Sequence, residues 1–230
     1  MYPVFFDIRG KRCLVVGGGK VAERKIYGLL SEQAEVVIVS PEVTTTIARL
    51  AAHGQCCLQK RTYHADDLHG VFLVFAATDS PDVQQQIAVD AKASGIPVNV
   101  ADKPELCTFH VPAVLRRGDL TLAVSTAGKS PALAAMVRQK LAGQYGDEYE
   151  QLLQLMGKLR PLVIGAADTS DERKTLFQNI LHDDIIHWIE GGRWDKICSH
   201  LRALLGPGVD MIINGDMRAE GDRTSNFCKK

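Results

Sequence analysis

The stretch "CLVVGGGKVAERK", Cys13 to Lys25, places three consecutive glycines after an apolar run and before residues with helical spacing. Gly17-x-Gly19-x-x-Ala22 has the small-residue spacing of a dinucleotide-binding turn between a strand and a helix. In such a turn Gly17 permits the tight bend, Gly19 lets the backbone approach a pyrophosphate, and Ala22 lets helix and strand pack closely. The backbone N–H groups of Gly17, Gly18, Gly19, Lys20 and Val21 then form an anion site at the positive end of the helix dipole. The chemistry this implies is the binding of a dinucleotide; the other reading is an ordinary glycine-rich turn between a strand and a helix.

Three further stretches lead to the same crevice, because ligands of open α/β sheets bind beyond the carboxyl ends of the strands. An acidic residue for the adenosine ribose is expected about 20 residues past the glycine turn. The chain there has "IVSPEV", which puts Ser40 and Pro41 at the position and Glu42 one step on. Glu42 is open to two readings, a ribose ligand or a solvated residue opening the next helix. No arginine stands at this end to receive a 2′-phosphate, which favours NAD over NADP. "FAATDSP" leaves another strand through Ala77, Thr78 and Asp79, small and polar groups suited to the flank of a nicotinamide ribose. Asp79 also reads as a helix N-cap. "VNVADKP" leaves the next strand through Asn99 and Asp102.

The elements that must position these residues follow from periodicity. Cys13–Val16, Val36–Val39, 71–76 and Pro97–Val100 are short runs rich in β-branched residues, as expected of buried strands. Val21–Leu30, Val43–His53 and Val83–Ser94 have helical spacing between them, with Ala22, Ile26, Leu29 and Leu30 on one face of the first. Alternation of this kind predicts a doubly wound parallel sheet with right-handed crossovers. The fold class expected is therefore α/β, with a Rossmann-like domain over residues 1–112. Leu120–Thr126 is a further strand candidate, and Ser130 as N-cap with Pro131 at the first position opens a helix through Leu141. Residues 113–146 form a central α/β region expected to dimerise. Beyond Gly146 only helical patterns recur: a stripe of Tyr149, Leu152, Leu153, Met156 and Leu159, a capping box of Thr169 with Glu172, and Trp194, Ile197, Leu201, Leu204 and Leu205. These predict a helical domain over 147–206 that stops at Gly206, followed by a polar tail over 207–230 expected to be mobile.

The 230 residues carry 27 Lys and Arg against 27 Asp and Glu, so the overall balance points to neither nucleic acid nor an anionic membrane surface. No apolar run approaches the roughly 18 residues of a membrane span, and the opening "MYPVFFDIRGKR" lacks the pattern of a secretory leader. A cytoplasmic protein is the expectation. The six cysteines include no CxxC pair, and the seven histidines show no metal-ligand spacing, so reduced thiols and no metal site are expected.

With these residues in view the chain resembles the precorrin-2 dehydrogenase family, the dehydrogenase and ferrochelatase module of sirohaem synthases. The resemblance lies in "PVFFDIRGKRCLVVGGGKVAERK", "FAATDSPDVQQQIA", "GIPVNVADKPELCTFHVPAVLRRGDLTLAVSTAGKSPALAAMVRQKL", "LRPLVIG" and "ERKTLFQNIL", and extends to about residue 205. It implies oxidation of precorrin-2 to sirohydrochlorin with NAD as hydride acceptor, in a homodimer. In some members the same cleft inserts ferrous iron. The absence of a methyltransferase domain implies that a separate methyltransferase supplies precorrin-2.

The resemblance ties Asp102, the aspartate of "NVAD", to catalysis, and the chemistry agrees. Loss of a hydride from a reduced tetrapyrrole is accompanied by loss of a proton, and a carboxylate at the strand end can take it. The other reading of Asp102 is a turn residue before Pro104. A polycarboxylate substrate calls for a cationic site, and Lys103, Arg116, Arg117, Lys129, Arg138 and Lys140 stand between residues 103 and 140 against only Glu105 and Asp119. The "STAGKSPA" turn adds Thr126, Lys129 and Ser130 at a helix N-terminus. Members often have serine where this chain has Thr126. His110, not required in all members, orients a substrate carboxylate or is structural. A module that senses NAD without chemistry, and a chelatase with a vestigial glycine turn, are the competing readings; the first predicts no catalytic acid after the strand that ends in "VNV" and no cationic central region, and Gly17, Gly19 and Ala22 argue against the second.

Overall fold

The computed structural model describes residues 1–182 and 184–213, and the chain divides into two compact units. Met1–Val111 and Ser125–Ser130 form the first; Pro112–Val124 and the chain from Pro131 onward form the second.

In the first unit five parallel strands run in the order β3-β2-β1-β4-β5: β1 Arg12–Val16, β2 Glu35–Val39, β3 Cys57–Gln59, β4 Leu73–Ala76 and β5 Val98–Val100. The helices are α1 Lys20–Ser31, α2 Thr45–Ala52 and α3 Pro81–Ala93. β1, β2 and β4 are short and nearly continuously apolar because both faces of the sheet are covered. Cys13, Val15, Ile38 and Phe75 pack against Ala22, Ile26 and Leu29 of α1 and Ile47 of α2. On the opposite face Leu14, Val16, Val74 and Ala76 meet Ile87, Ala88 and Ala91 of α3. Burial pushes the Cys13 thiol up to about 11, so it behaves as a small apolar side chain. The strand order reverses at β1, which sends β2 to one side and β4 to the other. The switch point between β1 and β4 is where such sheets bind nucleotides.

β3 is absent from the sequence expectation. It is three residues long, at the sheet edge, and carries no alternating pattern to read. Asp79 is not the cap of α3; Ser80 occupies that position and Pro81 opens the helix.

The second unit begins with an antiparallel pair, β6 Ala113–Arg117 and β7 Leu120–Val124, joined at Gly118 in the left-handed region. β6 escapes a periodicity reading because it ends in two arginines and only Leu115 is buried. α4 Pro131–Gln144 packs on both strands. Helices α5 Glu148–Ala166, α6 Ser170–Ile180, α7 Ile185–Glu190 and α8 Trp194–Leu205 come next. The Thr169–Glu172 capping box forms as expected.

The helical part differs from the expectation in four respects. The buried positions of α5 are Leu152, Leu155, Leu159 and Val163, whereas Leu153 is exposed, because the helix turns its i, i+3, i+7 and i+11 row toward α6, α7 and α8. Pro161 lies inside α5 without ending it, on the exposed side. α7 adds Ile185 and Ile189. The tail expected from residue 207 is corrected over its first part: after Gly206 ends α8, Val209 and Ile213 are buried in this core, one helical turn apart. The remainder, 214–230, lies outside the described residues.

Both tryptophans of the chain, Trp188 and Trp194, pack against this core, so their fluorescence reports its unfolding. Leu159→Ala is expected to lower the urea midpoint by an amount worth about 2–5 kcal/mol, the usual cost of a buried leucine truncation. Leu153→Ala, at an exposed position, is expected to stay within about 0.5 kcal/mol of the parent.

Candidate functional site

The sheet register brings four strand ends to one edge. Val16 pairs with Val39 of β2 and with Ala76 of β4, and Val100 of β5 pairs with Ala76. Gly17 donates its N–H to the Val39 carbonyl at 3.0 Å, and Ala77 donates to the Val16 carbonyl at 2.7 Å. Gly17, with φ +124°, is tightly enclosed: a β-carbon there would stand 2.1 Å from the Ala77 carbonyl oxygen. Gly18 is enclosed from the other side, its would-be β-carbon 2.0 Å from the Glu42 carbonyl oxygen. The sequence pattern assigned no steric role to Gly18, whose requirement comes from the β2–α2 connection passing over it.

Gly19 is different. Nothing lies within 4 Å of its would-be β-carbon, its φ is −86°, and it caps α1 without any side-chain hydrogen bond to the first turn. The first N–H groups of α1, including those of Lys20 and Val21, therefore have no side-chain cap from Gly19, and the space a side chain at Gly19 would enter is open. That combination fits the pyrophosphate of a dinucleotide. The Lys20 ammonium reaches back to Glu23 at 3.0 Å rather than forward. Glu23 is buried among polar partners, and a hydrogen bond from Thr44, then one from Lys20, hold its carboxyl below the usual range. Thr44 also caps α2 and donates its N–H to the Gly18 carbonyl, so Glu23 and Thr44 tie α1 and α2 to the turn. Neither was singled out from the sequence, because a buried glutamate on a helix has no linear signature.

At the end of β2 the Ser40 hydroxyl donates to the Glu42 carbonyl at 2.6 Å, which shapes the turn; Pro41 and the Glu42 side chain are exposed. At the end of β4 the buried Gln84 of α3 donates to the Thr78 carbonyl at 2.7 Å and holds the Ala77–Asp79 corner, with Asp79 exposed.

Beyond β5 the chain turns back on itself. Asn99 donates its amide to the Phe109 carbonyl at 3.1 Å, Thr108 accepts the Val98 N–H at 2.8 Å, and the Cys107 thiol meets the Val100 N–H and carbonyl at 3.2 and 3.3 Å. Asn99 is thus committed to the loop. At the tip of this return Asp102 is exposed, with φ +59°, a left-handed conformation that aspartate and asparagine tolerate better than most residues. No hydrogen bond to its carboxylate forms among the described residues. Lys103 carries the next turn, and its carbonyl faces the Cys107 thiol at 3.4 Å.

The Ser125–Ser130 turn belongs to the same unit. The Thr126 hydroxyl donates to the Ser130 carbonyl at 3.0 Å and accepts the Ser130 N–H at 3.1 Å, and the Lys129 N–H closes the turn on the Thr126 carbonyl. The Ser130 backbone is thus clasped by Thr126 at the entry to α4. At Gly128 a β-carbon would stand 3.9 Å from both His110 and Pro104, so the turn lies over the Asp102–His110 loop. Lys103, His110, Thr126, Lys129 and Ser130 are thus gathered on the two loops next to Asp102. Arg116 and Arg117 lie in the second unit, where Arg117 is tied to Asp147 at 3.4 Å and to the Arg116 and Ala142 carbonyls. Among the described residues no group of three or more His, Cys, Asp or Glu is placed to hold a metal ion.

One side chain of the first unit was not anticipated. Lys25, on α1, is half-buried with its ammonium 5.3 Å from the centre of the Phe75 ring.

Family models match both halves of this arrangement: one described as NAD(P)-binding over residues 4–113, and one described as the central part of sirohaem biosynthesis proteins over 117–144. The solved structure of SirC, precorrin-2 dehydrogenase, superposes with a TM-score of 0.74 at 30% identity, covering 89% of this chain and 98% of that one. The chain belongs to the precorrin-2 dehydrogenase family. Siroheme synthase of Methylobacillus flagellatus is 36% identical over 219 residues, which are 95% of this chain and 47% of that protein. Siroheme synthase of Pseudomonas entomophila is 38% identical over 80% of this chain and 40% of its own length. The chain spans about half the length of the curated relatives it matches or less. The family carries an NAD-binding domain, and the expected α/β fold with a helical C-terminal region is the one found.

The open space at Gly19 makes it the clean position at which to test the cofactor site. Gly19→Asp is expected to retain the parent melting temperature, since aspartate is a good helix N-cap, while its carboxylate occupies and repels the pyrophosphate position. Calorimetry should show NAD binding abolished; unchanged affinity would remove the glycine turn from the site. Gly17→Ala, by contrast, is expected to lower the melting temperature because backbone must move.

Proposed function

We propose that this chain oxidises precorrin-2 to sirohydrochlorin, with Asp102 as the base that takes the accompanying proton. The observation that carries the reading is a carboxylate without a hydrogen-bond partner among the described residues, at the tip of a clamped loop beyond β5 and at the same sheet edge as the uncapped first turn of α1. In the oxidation a C–H bond of the reduced macrocycle breaks, its electron pair leaves as hydride, and a proton is lost from the adjoining position. NAD, when bound, supplies the ring that accepts the hydride. The chain's own residues bind the pyrophosphate through the N–H groups at Gly18 to Val21, flank the ribose and nicotinamide with Ala77, Thr78 and Asp79, and move the proton to a carboxylate oxygen of Asp102.

NAD rather than NADP is favoured by the end of β2, where Ser40 is committed to the turn. Arg61, which comes after β3, is bound to Asp67 and Gln59 rather than free for a 2′-phosphate. Lys103, His110 and Lys129, with the Thr126–Ser130 turn, are the groups that would meet the substrate carboxylates; Arg116 and Arg117 remain candidates on the second unit. Where ferrous iron enters sirohydrochlorin as a second substrate, Asp102 is also the group to receive the displaced pyrrole protons. On this reading precorrin-2 comes from a methyltransferase acting outside these 230 residues, and the reaction belongs in the cytoplasm, in keeping with five free cysteines among the described residues. No helix among the described residues is long and apolar enough to cross a membrane.

A homodimer formed through the central region is part of the same proposal. α4 buries only Ala134 within the chain, while Leu133 and Met136 stand exposed on it. Light scattering at micromolar concentration should give twice the 25.2 kDa chain mass; a monomer would reject this part.

Asp102→Asn is expected to bind NAD normally, because asparagine also accepts the left-handed backbone, and to lose on the order of 10²–10⁴ in kcat. The assay is the tetrapyrrole absorption spectrum with enzymatically made precorrin-2 and NAD, alongside a melting curve on the same sample. Near-parental turnover would assign Asp102 to the turn alone.

A further inference from the structure

The Asp102 carboxylate has a fixed backbone and no hydrogen bond to orient it among the described residues. A base must nevertheless be held in one place for proton transfer. Lys25 stands between one and two turns into α1, and its ammonium faces the Phe75 ring instead of extending straight into water as a surface lysine would. Phe75 of β4 pairs in register with Asn99 of β5 and meets Phe109 edge-on at 5.4 Å. Asn99 and Phe109 are the two ends of the clamp beneath Asp102. Lys25 is therefore braced on the same aromatic platform from which the Asp102 loop rises. It makes no ion pair among the described residues. Burial first, and then the neighbouring Arg24, disfavour its charge, whereas Cys107 and Asp102, both on that loop, favour it.

We propose that Lys25 is a positioning residue for Asp102: its ammonium, braced on Phe75, attracts the Asp102 carboxylate and holds it at the crevice edge beyond β4 and β5 for proton transfer. This rests on the reading of Asp102 as the base. The sequence alone could not reveal it, because residues 25, 75 and 102 lie far apart in the chain and a lysine on an amphipathic helix ordinarily marks the solvated side.

A double-mutant cycle tests it. Lys25→Met keeps an unbranched stem against Phe75 and removes the charge; Lys25→Arg keeps the charge and the stacking. Lys25→Met is expected to lower kcat on the order of tenfold, the scale of a misplaced catalytic group, with NAD affinity and melting temperature unchanged. Lys25→Arg should restore most of the rate. In an Asp102→Asn background Lys25→Met should cost nothing further, because the charge then has no carboxylate to place. Full kcat in Lys25→Met, an effect on substrate KM alone, or an equal loss in the Asp102→Asn background would each overturn the proposal, the last by showing that Lys25 acts on substrate or cofactor directly. If Asp102→Asn is slow and Lys25→Met is not, only the role of Lys25 falls. A fast Asp102→Asn enzyme would instead remove the base assignment and Lys25 with it.

Discussion

A side chain at Gly17 would stand 2.1 Å from the Ala77 carbonyl, and one at Gly18 would stand 2.0 Å from the Glu42 carbonyl. The ends of β1, β2 and β4 can approach so closely only because these two residues have no β-carbon. The approach is what lets Gly17 and Ala77 extend the sheet's hydrogen bonding past Val39 and Val16. It also aims α1 outward with its first N–H groups uncapped. A bulkier turn would have to separate the strand ends, and the crevice at the switch point would lose both its floor and its anion site. Everything the first unit can do with a nucleotide depends on this backbone-to-backbone contact.

The chain past β5, which carries Asp102, meets a second constraint, that of ordering a loop without regular structure. A strand of three residues offers little ladder to anchor the loop beyond it. The return from Cys107 to Phe109 is therefore fastened by side chains of modest polarity, the Asn99 amide, the Thr108 hydroxyl and the Cys107 thiol, each meeting a backbone group of the neighbouring segment. Backbone groups that would otherwise be left without partners are satisfied in this way, and the loop gains order without regular structure. The cysteine that would invite a redox interpretation is used as a hydrogen-bonding clasp. The Asp102 carboxylate at the tip makes no hydrogen bond among the described residues.

Charge obeys the same local logic. The chain is neutral as a whole, yet Lys103 and Lys129 lie on two adjoining loops of the first unit beside Asp102, and the turn carrying Lys129 is closed by Thr126. Arg61 and Arg117 are cations of a different kind, tied to Asp67 and Asp147 and to nearby carbonyls, and their main effect is on the shape of their own segments. Sorting cations by what already neutralises them says more about ligand preference than the net charge does.

The sequence by itself determined what depends on neighbours a few residues apart. The glycine turn, the buried parallel strands, the α1 face of Ala22, Ile26 and Leu29, and the Thr169–Glu172 capping box are all set by local sterics and by the 2.0 and 3.6 periods of strand and helix. What needed the tertiary structure has no local period. β3 and β6 are short and half-exposed, so only their partners define them. The buried row of α5 passes through Leu155 and Val163 rather than Leu153, a choice made by where α6, α7 and α8 stand and not by the helix, which offers apolar residues on more than one side. Val209 and Ile213 look like the start of a polar tail until a hydrophobic surface is there to receive them. The same holds at the site. The position of Asp102 after the strand is read from the sequence, but its left-handed backbone, the Asn99–Phe109 clasp and the Lys25 ammonium over Phe75 depend on how α1, β4 and the β5 return pack.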